Sequence, residues 1–430
     1  NLEGWSVTDD ILNSEKWVFP SIDIPAGGYL LVYASGGDKR DPLVPLETSF
    51  KLSSEGEYLG LFDASGNVMT AFSPEYPEQP LGTSYGWHDN SGTYKIFNSP
   101  SPGRRNPASS FIGTVEDTVF SVDRGFYDEP FTVEITTATE GASIRYTTDG
   151  TTPSEELGTR YSEPITISST TLLRAIAYKA DYFPTNVDTQ SYIFLDEVIT
   201  QGNQQTGYPT TWKNLSGKPD LPADYEMDPE VTEDPLYKDK LRDSLLSIPT
   251  ISLVTDPDHL FDRGTGLYMN PGESGDLWER PVSMELIYPG GKEGFQIDAG
   301  LRIQGGSSRN PENSPKHSFR VNFRSQYGAG KLEFPLFSDP DATDEFDTII
   351  LRGGYNQSWT HHNTWRGDNR GRAQYVRDQF AKNIQGLTGA PYLHNSYAFL
   401  YLNGLFWGLY NPTERATGGY GEAYFGGDEE

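Results

Sequence analysis

A glycine-serine loop followed by a lysine, Gly305-Gly306-Ser307-Ser308-Arg309 and then Lys316, is the stretch of this sequence best equipped for chemistry. Glycines let a ligand come close to the main chain. Serine hydroxyls and exposed amides donate to phosphate oxygens, and Lys316 on the following strand can reach the same charges. Charge supports an anion here. From Gly300 to Pro335, Arg302, Arg309, Lys316, Arg320, Arg324 and Lys331 stand against Glu312 and Glu333, a window of +4. From Arg352 to Lys382, Arg352, Arg366, Arg370, Arg372, Arg377 and Lys382 stand against Asp368 and Asp378, again +4, inside a chain of formal charge −28. Two cationic islands suit a small polyanion such as a nucleotide phosphate. A plain turn with a basic surface patch, and a solvent-facing lysine, fit the same residues. Neither a Walker loop nor the Gly-x-Gly-x-x-Gly of ordinary protein kinases is present.

Other candidates are weaker in pattern. His361 and His362 are metal-ligand types, yet adjacent residues point apart on regular structure. Asp339, Asp341, Asp344 and Asp347 could cup calcium, or stand as a solvated acidic loop. Tyr146 and Asp149 could meet a sugar, or serve only packing and the Asp149-Gly150 turn.

The elements that must position these residues follow from length and punctuation. At roughly 100–200 residues per domain, 430 residues make two to four domains. With 45 Gly, 30 Pro and 13% aromatics, short strands joined by turns are expected. The absence of Cys excludes disulfides, thiolate catalysis and Cys-ligated zinc. The net charge disfavours nucleic acids and anionic membranes, and no apolar run reaches the ~18 residues of a membrane span. An acidic, Cys-free, Tyr/Gly/Thr-rich composition suits a secreted or cell-surface bacterial protein.

Alternating strands fill residues 1–107 and again 115–195, each reading as a β-sandwich. Residues 196–247, acidic and Pro-rich, read as a linker or wrapping extension. The section 248–430 is mixed. Val376, Phe380 and Ile384 recur at i, i+4, i+8 in a helix expected from Tyr375 to Leu387, with Asp378 its only carboxylate. Tyr397–Leu402 and Leu405–Tyr410 form a hairpin on a type I′ Asn403-Gly404 turn.

Three stretches resemble known families. Leu2-Glu3-Gly4-Trp5-Ser6-Val7, Lys16-Trp17-Val18-Phe19-Pro20 and Phe50-Lys51-Leu52-Ser53 resemble a bacterial lamin-tail domain lacking its first strands. Tyr146-Thr147-Thr148-Asp149-Gly150 with Ile165–Thr171 and Ala175–Lys179 is similar to the chitobiase/β-hexosaminidase C-terminal domain, a module that accompanies catalysis without supplying it. Trp278–Ser283, Gly294–Arg309, Ser314–Arg320, Leu351–Asn356, Tyr375–Asp378 and Glu414-Arg415 resemble the CotH family of secreted kinase-like proteins, from about Asp224 onward.

That last resemblance implies ATP binding with Mg or Mn and phosphoryl transfer to secreted proteins. Carried over, Lys316 holds the phosphates under Ser307, Ser308 and Arg309. Asp378 takes the place of the helix acid that pairs with such a lysine. The hinge at Asn411–Arg415, with Glu414, meets adenine. The fold class expected is therefore two immunoglobulin- or fibronectin-like sandwiches followed by an incomplete α+β kinase-like domain. In the family the metal-holding aspartates lie beyond the Phe425–Glu429 stretch, so the chain is expected to be a fragment clipped at both ends, inactive alone, with no catalytic residue inside it. The alternative is a non-catalytic adhesion, carbohydrate-binding or kinase-like scaffold protein, using its partners as ligands only.

Overall fold

The computed structural model describes residues 1–80, 82–355, 358–360 and 372–426. It is mostly β, 31% strand against 12% helix, spread over many sheets. The chain divides into two compact units, 1–115 with 179–184, and 116–178 with 185–430. Among the described residues no helix is long and apolar enough to cross a membrane.

In the first unit, Ser6–Thr8 is paired by Trp17–Val18 on one side and Leu59–Phe62 on the other, with Val68–Phe72 completing the sheet. Trp17, Phe19, Leu46 and Phe50 are buried together in its core.

The second unit begins with a sandwich. Its larger sheet contains β1 (Gly125–Tyr127), β2 (Ser143–Thr147), β3 (Thr159–Arg160), β4 (Thr171–Tyr178) and β5 (Asp188–Phe194), in the order β1-β5-β4-β2-β3. Both β4 and β5 are buried on two faces, β5 with Thr189, Gln190 and Ser191 among its buried residues, so both sides of this sheet are covered. The second cover is a closed barrel. Strands β6 (Thr250–Val254), β7 (Arg280–Ile287), β8 (Phe295–Gln304), β9 (Ser318–Asn322), β10 (Thr348–Arg352), β11 (Ala398–Leu402) and β12 (Leu405–Glu414) run in the order β6-β7-β8-β9-β10-β12-β11. The parallel pairing of β6 with β11 closes it, removing both edges of what would otherwise be an open sheet. Alternate residues fill the interior: Leu253, Met284, Leu301, Phe319, Val321, Leu351 and Leu400 are essentially inaccessible. The β11–β12 hairpin turns on Asn403 (φ 47°) and Gly404 (φ 77°), the two positive φ values a type I′ turn demands.

Segment 196–247 wraps this barrel. Trp212, Ala223 and Tyr225 are buried in the barrel core, joined there by Tyr268 and Trp407. A proline-rich composition does not reveal this, because the burial rests on a few large aromatics rather than on a periodic run.

Sandwich and barrel share a polar seam. Glu285 on the barrel's outer face is fully buried; it accepts from Ser191 N at 3.0 Å and from Ser191 Oγ, with Arg124 Nε 3.7 Å away. Nearby, burial pushes the Asp298 carboxyl up to about 7, against the pull of Arg174, and the Asp188 carboxyl up to about 6, against the hydroxyl of Thr118. A carboxyl raised in the folded state holds its proton longer than in the unfolded chain, so stability falls as pH rises through the raised values. The second unit is therefore expected to melt higher at pH 5 than at pH 7.5. Asp298→Asn flattens that slope, and an unchanged slope in calorimetry would remove the seam as its source.

Candidate functional site

Six sequence candidates lie around one end and one outer face of the barrel, and they do not converge. Ser307, Ser308 and Arg309 form a single 3-10 turn after β8. Gly305 takes φ 128°, and a Cβ there would collide with the Ser308 side chain, so the loop needs its glycine. Arg309 is not free for a ligand. Its Nε donates to Gly305 O (2.6 Å), Nη1 to Pro271 O (3.1 Å) and Glu273 O (2.6 Å), and Nη2 to Ile303 O (2.6 Å). The guanidinium thus fastens the loop to its neighbours.

Lys316 points into the aromatic core. Its ammonium donates to the Asp224 carbonyl and lies 4.0 Å from the Trp407 ring and 5.7 Å from Trp212. Cation–π attraction on two faces holds it, and burial lowers its pKa to about 8 against the nearby charge of Asp224. The next residue, His317, is inaccessible; its Nδ1 lies 3.1 Å from Ser308 O, and burial lowers it to about 4. Loop and lysine are therefore coupled through His317.

The helix α1 (Arg377–Leu387) turns the opposite way from the sequence expectation. Val376, Phe380, Ile384 and Leu387 are exposed, while Asp378 and Lys382, one turn apart, face the sheet. The reason is electrostatic: the barrel surface beneath is cationic and polar. Asp378 pairs with Arg352 on β10 and with Lys382 (3.0 Å), not with Lys316, and Lys382 also donates to Thr413 Oγ1 (2.8 Å). The Arg352–Asp378 pair thus fastens the helix to β10.

Strand register explains where that surface comes from. Arg302 on β8 lies opposite Arg320 on β9, Arg320 lies opposite Ile350 on β10, and Arg352 follows Ile350 on the same face. Arg302 is held by Glu279 (2.5 Å) and Asp276, and Arg324 approaches the same two acids at 3.5–3.6 Å. Arg320 differs. Its Nε is buried without a hydrogen-bond partner, and among the described residues no carboxylate lies within ion-pair distance of it or of Arg415. Burial and then the charges of Arg415 and Arg302 pull its pKa down. An under-satisfied guanidinium among like charges is a place for an anion. Sequence reading counted Arg320 in a basic window without singling it out. The available signal was its position between the inward-facing Phe319 and Val321, which fixes it outward.

Glu414, expected at a nucleotide hinge, is buried at the end of β12. It accepts from His394 N (2.5 Å) and from Tyr424 on α2 (Gly418–Phe425), with His394 Nδ1 at 2.9 Å. Its carboxylate ties α2 to the barrel. The four aspartates from Asp339 to Asp347 gather no metal set: Asp339 is taken by the Tyr392 hydroxyl, and among the described residues no group of three acids or histidines could hold a metal. His361 and His362 lie outside the described residues, as do Arg366, Arg370 and the end of the Phe425–Glu429 stretch.

Two family models match stretches of the chain. Residues 122–189, the sandwich, match the chitobiase/beta-hexosaminidase C-terminal domain. Residues 301–428, from β8 to beyond α2, match the CotH kinase protein family. No curated protein matches the chain.

Proposed function

We propose that the CotH kinase domain of this chain holds the phosphates of ATP on the outer face of β8–β10, as part of a secreted or cell-surface kinase that phosphorylates extracellular proteins. The observation that carries this is Arg320, whose buried Nε has no hydrogen-bond partner among the described residues, inside a family match spanning the cationic face. Arg320 and Arg415 supply charge that no carboxylate among the described residues neutralises, and they bind the polyphosphate. Arg352, locked by Asp378, orients it, and Lys382 extends the same polar strip. Mg or Mn, as the family implies, would neutralise phosphate charge; among the described residues none is assigned to hold it. Lys316 acts on this reading through the fold, fixing the 305–309 loop and segment 196–247 rather than touching phosphate. The acidic, Cys-free composition supports an extracellular setting, and the motifs of residues 1–107 support reading the first unit as a lamin-tail domain.

Thermal shift on the full chain tests this. ATP with Mg²⁺ or Mn²⁺ at about 100 times its dissociation constant should stabilise by ~2.7 kcal/mol. The rise in melting temperature should shrink in Arg320→Ala. No shift for the unaltered chain with either metal removes the proposal.

A further inference from the structure

Within the second unit, a cavity of about 660 Å³ opens between sandwich and barrel. Its size falls within the ~300–1,000 Å³ of ligand clefts. One wall is the sandwich, with Asp149 and Thr170; the second is the helix Leu195–Ile199 with the loop after it, carrying Glu197 and Tyr208; the third is the barrel hairpin at Asn403.

These walls are pinned before any ligand arrives. Glu197 Oε2 accepts from Thr170 N (2.7 Å). The Gln201 amide pairs both ways with the Phe406 backbone (2.8 and 3.1 Å), and the Asn403 amide pairs both ways with Thr255 (2.8 Å each). Asp149 Oδ1 accepts from Thr151. The other oxygen of each carboxylate accepts no hydrogen bond among the described residues. Tyr208, half-buried and edge-on to Phe261 at 5.0 Å, contributes an aromatic ring to the lining.

The chemistry of the lining selects its occupant. Acceptor oxygens and threonine hydroxyls are plentiful, and among the described residues no Lys, Arg or His lines the cleft, which disfavours phosphate, sulfate and uronate groups. Two half-committed carboxylates are few for capturing a strongly cationic chain. A ligand rich in hydroxyl donors, uncharged, with a C–H face for the tyrosine meets every feature. We propose that this cleft binds a neutral oligosaccharide. The proposal is independent of nucleotide binding on the barrel's outer face.

Isothermal titration of the full chain with maltohexaose, cellohexaose, mannohexaose and chitohexaose tests it, with hexalysine and an oligogalacturonate as charged controls. At Gly202, which lines the cleft, a Cβ would meet only open space, so Gly202→Trp plugs the cleft without strain. At least one neutral sugar should bind. Gly202→Trp should weaken it about tenfold or more, with an unchanged melting temperature, and Tyr208→Ala should weaken it likewise. If Tyr208→Ala fails to fold, Gly202→Trp alone decides. Three results overturn the proposal: no binding by any of the four sugars, sugar binding indifferent to Gly202→Trp, or hexalysine binding that Gly202→Trp abolishes.

Discussion

Replacing Glu279 by Ala should destabilise the chain by ~3–5 kcal/mol, the range for removing one partner of a buried ion pair. The Glu279 side chain is 1% exposed and accepts from Arg302 Nε at 2.5 Å and Asn322 Nδ2 at 2.6 Å. Without it the Arg302 guanidinium, 7% exposed, keeps only Asp276, which stands largely in water. Arg302 also lies opposite Arg320, so an uncompensated charge there adds repulsion across the sheet. Urea unfolding should show a lower midpoint with an unchanged slope. Glu279→Gln, which keeps an acceptor, should lose less. A loss below about 1 kcal/mol would place Glu279 with surface ion pairs and undo the account of how the cationic face is built.

The second large effect is expected far away in sequence. Trp212→Ala should cost ~3–5 kcal/mol, as for other buried large-to-small changes. Trp212 is inaccessible, its ring lies 5.2 Å from Tyr268 and 5.9 Å from Trp407, and its Nε1 donates to the Tyr225 hydroxyl at 3.3 Å. The change also strips Lys316 of one aromatic face. Trp212→Phe, keeping most of the volume, should retain over half of the lost stability. If alanine at 212 leaves the denaturation midpoint unmoved, segment 196–247 is a linker and not a strap on the barrel.

Local rules made part of this legible in sequence. The Asn403-Gly404 turn has one low-energy solution between two strands, and the +4 windows mark the barrel face that carries Arg302, Arg320 and Arg352. The helix at 377–387 was expected, but not its orientation. Periodicity identifies an apolar face and says nothing about a competing cationic sheet, which draws Asp378 inward, with Lys382 held beside it by Asp378 and Thr413, and leaves Phe380 outside. Lys316 shows the same limit. Its family position suggested phosphate, while its surroundings come from Trp212, Asp224 and Trp407, residues up to about a hundred positions distant that only the closed barrel brings together. Barrel closure itself depends on β6 meeting β11 in parallel, a pairing without local signature.

The central claim is that nucleotide phosphate meets Arg320 on the outer face and not Lys316 in the aromatic core. Isothermal titration of ATP with Mg²⁺ into the unaltered full chain, Arg320→Ala and Lys316→Met tests it most directly. A charged hydrogen bond of ~1.5–3 kcal/mol predicts that Arg320→Ala weakens binding about tenfold or more, while Lys316→Met leaves the affinity of the folded protein nearly unchanged. Binding lost in Lys316→Met and retained in Arg320→Ala would contradict it.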